Sequence, residues 1–105
     1  MKKRANYLLL SDFSNLQSWA VSLRHMLKSY GVFQVGSSLT TKYYRDVDVR
    51  QIMIETEYQD LISKIDISIL NHAISLWGQK VTGLPIDFQI QSIKDPDNKG
   101  IKTSL

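Results

Sequence analysis

Residues 86–91, Ile86-Asp87-Phe88-Gln89-Ile90-Gln91, alternate apolar and polar side chains without a break. Successive side chains of a strand point to opposite faces, so this pattern requires a sheet half buried against something else. The same alternation recurs upstream in Asp46-Val47-Asp48-Val49, which sends two carboxylates to one face and two valines to the other. Gly36-Ser37, a small-residue turn, lies ten positions before Asp46. A carboxylate pair on a strand, facing a turn with free backbone N–H groups, suits a divalent cation held together with a polyphosphate. Taken alone, aspartates alternating with valines equally describe a solvated strand face, and Gly36-Ser37 an ordinary strand-ending turn.

The remaining pattern supplies helices to cover such a sheet. Ser14-Asn15-Leu16-Gln17 has the form of a capping box and introduces Leu16, Trp19, Ala20, Leu23, Met26, Leu27 and Tyr30 at helical spacing, with Gly31 as the C-terminal stop. This predicts a helix over residues 14–30, then a short strand at Val32-Phe33-Gln34-Val35. A turn or so of helix is expected in residues 38–44 and a second strand over residues 45–54. Arg50-Gln51 interrupts the apolar character of that strand, which places it at an edge or at a bulge. Thr56-x-x-Gln59 reads as a second capping box opening a helical region that runs to about Lys80. Ile65 to Ser68, where β-branched residues crowd around Asp66, is the expected break in it. Gly83-Leu84-Pro85 stops it before the alternating strand. Residues 92–105, rich in turn formers and charge, read as a loop or mobile tail. The sum is one α+β domain of 105 residues, a small mixed sheet with helices packed on one face.

Composition narrows the chemistry. Without cysteine the chain forms no disulfide, thiol nucleophile or cysteine zinc site. The net charge of +3, from 13 basic and 10 acidic residues, owes part of its excess to Lys2-Lys3-Arg4. It suits a phosphate-bearing ligand and equally a solvated terminus. The run Tyr7-Leu8-Leu9-Leu10 behind that cluster is cut by Asp12 and is too short for a secretory signal or a spanning helix, so a cytoplasmic location is expected. His25 and His72 fall within predicted helices without an evident partner. Trp19, Trp77 and Tyr58 are core candidates, whereas Tyr43-Tyr44, beside the aspartates, can stack on a base or pack on a partner.

The ordered set Val35-Gly36-Ser37, Asp46-Val47-Asp48 and Asp87 within Leu84-Pro85-Ile86-Asp87-Phe88 resembles the core of the nucleotidyltransferase superfamily related to DNA polymerase beta, in particular its minimal members. The similarity spans about residues 32–91. It implies a Mg²⁺- or Mn²⁺-dependent enzyme that moves an NMP group from a nucleoside triphosphate such as ATP to a hydroxyl acceptor on protein, nucleic acid or small molecule. By that resemblance Asp46, Asp48 and Asp87 are catalytic and metal ligands, Asp87 also helping to deprotonate the acceptor hydroxyl. Gly36 and Ser37 would bind the nucleotide phosphates. Lys42 and Arg45 stand outside the matched pattern but can add positive charge at the pyrophosphate, and Arg50 shares the aspartates' face, where it can touch phosphate or pair with them. The helical domain that commonly accompanies such a core has no counterpart here, which implies a homo-oligomer or a separate helical partner, as in antitoxin-type protein modifiers. A second reading keeps the fold as a binding or assembly module without turnover. A nuclease or sugar transferase using Asp-x-Asp leaves the Gly-Ser turn and Asp87 unexplained.

Overall fold

The computed structural model describes residues 6–105, so Lys2-Lys3-Arg4 lies outside the described residues. The order is α1 (Leu10–Met26), β1 (Gly31–Val35), a short 3-10 turn (Ser37–Leu39), β2 (Val47–Met53), α2 (Glu55–Lys64), α3 (Ile67–Thr82), β3 (Ile86–Ser92), a second 3-10 turn (Pro96–Lys99) and β4 (Lys102–Ser104). The architecture is α+β, with a four-stranded mixed sheet in the order β3-β2-β1-β4. Strands β1 and β2 run antiparallel, while β2 and β3 run parallel. Parallel neighbours need a long crossover, and α2 with α3 provides it.

The alternating residues of β2 and β3 divide as their pattern requires. Val47, Val49, Ile86, Phe88 and Ile90 are buried with Leu16, Trp19, Ala20 and Leu23 of α1 and Ile74 of α3. Trp19 anchors this layer, meeting Trp77 and Phe88 edge-on at centroid distances of 5.7 and 6.1 Å. Gly78 is what lets α3 approach it, since a Cβ there would overlap the Trp19 ring. Tyr58 and Leu61 of α2 pack against the rim of the core.

The β3 edge of the sheet is covered by α3. Along the outer side of β3, Ser75 Oγ accepts from Phe88 N at 2.9 Å, Asn71 Oδ1 accepts from Ile90 N at 3.0 Å and Gln79 Nε2 donates to Ile86 O at 2.9 Å. Polar side chains of α3 thus satisfy the backbone groups that an edge strand would otherwise present to another chain. At the other side β4 is the edge strand, pairing antiparallel with β1 and followed by the bond from Leu105 N to Val32 O at 2.8 Å.

Several boundaries differ from the sequence-based expectation. The first helix occupies Leu10–Met26 rather than residues 14–30, because no side chain caps it and Ser14 lies inside it. Gly31 opens β1 instead of capping a helix. The helix after β2 starts at Glu55 behind Ile54, and Gln59 bonds to Glu55 rather than serving a Thr56 capping box. Residues 92–105 are no mere tail, since they contribute a 3-10 turn and β4. Strand β2 is neither at an edge nor bulged: its register with both neighbours is continuous, and Gln51 is buried with Nε2 donating to Leu23 O at 2.7 Å. A buried amide that finds a carbonyl is compatible with an inner strand. The expected break came true at Asp66, whose carboxylate accepts from Ser68 N and Ile69 N at the start of α3, and Gly83 ends that helix at φ 73°. Among the described residues no helix is long and apolar enough to cross a membrane.

A three-carboxylate site on the open sheet face

Helices cover one face of the sheet only. On the other, the parallel register sets Asp48 directly across from Asp87, Arg50 across from Gln89 and Ile52 across from Gln91. The aspartates that lie 39 positions apart in sequence thereby become neighbours. Asp46 joins them from the residue before β2, which begins at Val47 rather than at Arg45, with Val47 N bonded to Pro85 O at 2.9 Å. One carboxylate oxygen from each of Asp46, Asp48 and Asp87 lies within 4.8 Å of the others, a spacing that suits a shared cation. Three hard oxygen donors fit a hard divalent ion such as Mg²⁺ or Mn²⁺ and do not suit a soft metal.

The Gly-Ser turn is built into the same cluster. Gly36 has φ 77°, a conformation that side chains rarely adopt, and a Cβ there would collide with Asp48 Oδ2. Beneath the turn, buried Gln34 donates to Ser38 Oγ at 2.8 Å and pairs with the Asn6 amide in both directions, at 2.6 and 3.1 Å. This amide network escaped the sequence reading because Asn6 and Gln34 lie 28 positions apart; the isolated polar Gln34 between Phe33 and Val35 was its only signal. Ser38 is the buried serine, whereas Ser37 is exposed and its carbonyl accepts from Thr40 N and Thr41 N, both at 2.9 Å. Gly36 and Ser37 therefore present an exposed, internally braced turn beside Asp48.

Arg50 is the cation of the cluster. Its Nη1 donates to Val49 O at 3.0 Å and Asp87 O at 2.7 Å, and its Nη2 stands 3.8 Å from a carboxylate oxygen of both Asp48 and Asp87. Asp48, with 21% of its side chain exposed, is the more enclosed of the two, against 43% for Asp87. Burial raises the Asp48 pKa above the ordinary carboxylate range; Arg50 pulls it down, while Asp87 and Asp46 push it further up. At 3.8 Å the arginine contacts are longer than direct charge-assisted bonds, so burial prevails.

Lys42 is exposed with its Nζ 5.1 Å over the Tyr43 ring, Arg45 is exposed, and no ion pair joins either to the aspartates. Tyr44 packs against the core, separating it from exposed Tyr43. His72 lies in a small depression that also includes Asn71, Ser75 and Asp87, an association hidden by the 15 positions between His72 and Asp87. His25 sits in the last turn of α1, away from the cluster.

No protein-family model matches the chain, and neither a curated protein nor a solved structure matches it significantly.

Proposed function

We propose that the chain is a metal-dependent nucleotidyltransferase, transferring an NMP group from a nucleoside triphosphate to a hydroxyl acceptor with release of pyrophosphate. The observation that carries this reading is the convergence of Asp46, Asp48 and Asp87 within 4.8 Å beside the Gly36 turn. The order of these motifs, as in the nucleotidyltransferases related to DNA polymerase beta, supports it further.

Asp46 and Asp48 would hold a divalent cation together with the triphosphate, and Asp87 would complete the ligand set. Such an ion supplies positive charge against the charge that develops on phosphate oxygens during transfer. The chain's own groups do the rest. Gly36 lets the turn pack directly against Asp48, which would bring its backbone beside a phosphate held at the carboxylates, and the exposed Ser37 hydroxyl is free to donate to it. Asp87, the more open carboxylate, is placed to take the acceptor's proton at an Oδ atom. Arg50 holds the pair of carboxylates in place before a cation arrives, because its Nη1 is fixed by two backbone carbonyls. The side chains of Ile69, Leu76 and Val81, all exposed on α3, support a homo-oligomer or a helical partner. A cytoplasmic location accords with nucleotide triphosphate as substrate.

The second reading, a binding or assembly module, draws on Arg50 as well: an internal guanidinium near both carboxylates balances charge without any metal. Incubation with Mg²⁺ or Mn²⁺ and each labelled NTP, with and without hydroxyl acceptors, separates the two. Transfer or metal-dependent NTP binding that disappears in the Asp46→Ala, Asp48→Ala double variant supports the enzyme. If the intact chain binds no NTP with either metal, the transferase reading is wrong.

A further inference from the structure

Next to the carboxylates, the open sheet face is hollowed into a pocket of about 590 Å³. Its floor follows the strand register: Asp48 at one end beside Gly36 and Thr40, then Arg50 with Gln89, then Ile52 with Gln91. The C-terminal segment closes the remaining side through Asn98, Ile101 and Lys102. This wall exists because β4 pairs with β1, setting Lys102 opposite Val35. Residues two apart on a strand are separated by about 6.7 Å, so the floor runs about 13 Å from Asp48 to Ile52. A pocket of this size falls within the usual range for small-molecule sites.

We propose that this pocket binds the nucleoside part of the donor nucleotide, with the side-chain amides of Gln89 and Gln91 reading the edge of its base; the proposal rests on the transferase reading above. The character of the lining changes along its length. Asp48 marks the end where phosphate and cation belong, and Ile101 lies at that end too, next to Lys102 opposite Val35, whereas the neutral amides and the apolar Ile52 form the far part. Gln91 is 6% exposed, yet among the described residues the only bond of its side-chain nitrogen is to Gln89 Oε1 at 3.5 Å, the outer limit of a hydrogen bond. A primary amide offers two donors and an acceptor, so most of the hydrogen-bonding capacity of Gln91 is left for a polar group entering the hollow. Amides can pair with the donor and acceptor groups on a base edge, and Ile52 offers apolar surface to its flat face. Neither cation of the pocket is left free to draw phosphate along it: Arg50 is tied to two carbonyls, and Lys102 Nζ donates to Asn98 O at 2.8 Å and lies 5.4 Å over the Phe33 ring. The acceptor belongs elsewhere, because Asp87 does not line this pocket and opens instead onto the separate depression with Asn71 and His72, of about 270 Å³.

The test is calorimetric titration of the Mn²⁺-loaded chain with inorganic tripolyphosphate and with non-hydrolysable analogues of ATP, GTP, CTP and UTP. At least one nucleotide should bind about tenfold or more tightly than tripolyphosphate, the worth of one or two added hydrogen bonds with base packing. Gln89→Ala should reduce that advantage about three- to tenfold while leaving tripolyphosphate affinity unchanged. Equal affinity of the intact chain for tripolyphosphate and all four nucleotides overturns the nucleoside assignment and leaves phosphate binding standing. So does an equal loss for both ligands in the folded variant. Failure of the intact chain to bind either ligand overturns the transferase reading and this proposal together.

Discussion

The two faces of strands β2 and β3 are written in alternate residues of the same segments, yet they are physically opposite. Toward the helices, Val47, Val49, Ile86, Phe88 and Ile90 are closed away from water and packed among α1 and α3. Toward the open side, Asp48, Arg50, Asp87 and Gln89 stay partly in solvent, and burial raises the Asp48 pKa in spite of Arg50. One face gives up water to stabilise the fold. The other keeps like charges together at a cost to stability, which is the usual signature of a site shaped for a ligand rather than for folding. A rigid covered face is also what allows three carboxylates from two separated stretches to be held close.

The contrast can be broken most severely from the covered side. Phe88→Ala removes a ring that contacts Trp19 and should destabilise the chain by about 3–5 kcal/mol, read as a lower denaturant midpoint, whereas Asp87→Asn one residue away should change stability by no more than about 0.5 kcal/mol while abolishing metal-dependent transfer. Gly36→Ala comes next. It forces φ 77° on a residue with a Cβ and drives that atom against Asp48, so a loss of about 1–2 kcal/mol in stability should accompany a far larger loss of NTP binding.

Acid titration sharpens the comparison further, because two aspartates respond with opposite sign. The Asp48 pKa is raised on folding, so the native state binds its proton more tightly than the unfolded chain. Its destabilising effect is present above the folded pKa and is relieved as pH falls through it. Asp48→Asn should therefore raise the apparent melting temperature at neutral pH and remove the acid-side gain, while eliminating metal binding. The smallest effect belongs to Asp66, whose pKa is lowered by the Ser68 hydroxyl and by the backbone N–H of Ile69. Its contribution is present above the unfolded pKa and is lost as pH falls through the folded one, so Asp66→Ala should cost a degree or two of melting temperature, by about the scale of an exposed cap, only at neutral pH.

What was legible in the sequence follows the range of the interactions involved. β3 was readable because its alternation is complete, and the break between α2 and α3 because Asp66 acts on neighbours two and three residues away. The start of α1 was misplaced by four residues because nothing local caps it, and Ser14-x-x-Gln17 imitates a signal that tertiary packing overrides. Arg50-Gln51 misled as an edge marker. Gln51 finds Leu23 O across 28 positions, and Arg50 finds Asp87 across 37, contacts that no local pattern encodes. β4 was hidden for the same reason, since its three residues gain strand character only by pairing with β1. Of the candidate site, the three aspartates and Gly36 were visible as motifs, but the Asp48–Asp87 register, the Gln34–Asn6 brace and the pocket wall around Ile101 depend on the assembled sheet.

The proposed function requires a cation shared by Asp46, Asp48 and Asp87, and anomalous diffraction from crystals soaked in Mn²⁺ tests that directly. The expected result is a manganese peak bounded by oxygens of all three carboxylates, at about the 2.0–2.2 Å spacing of small hard divalent ions, with Arg50 Nη2 displaced from the pair. A map with no manganese there, or with manganese only at other surface carboxylates while Arg50 remains between Asp48 and Asp87, would contradict it.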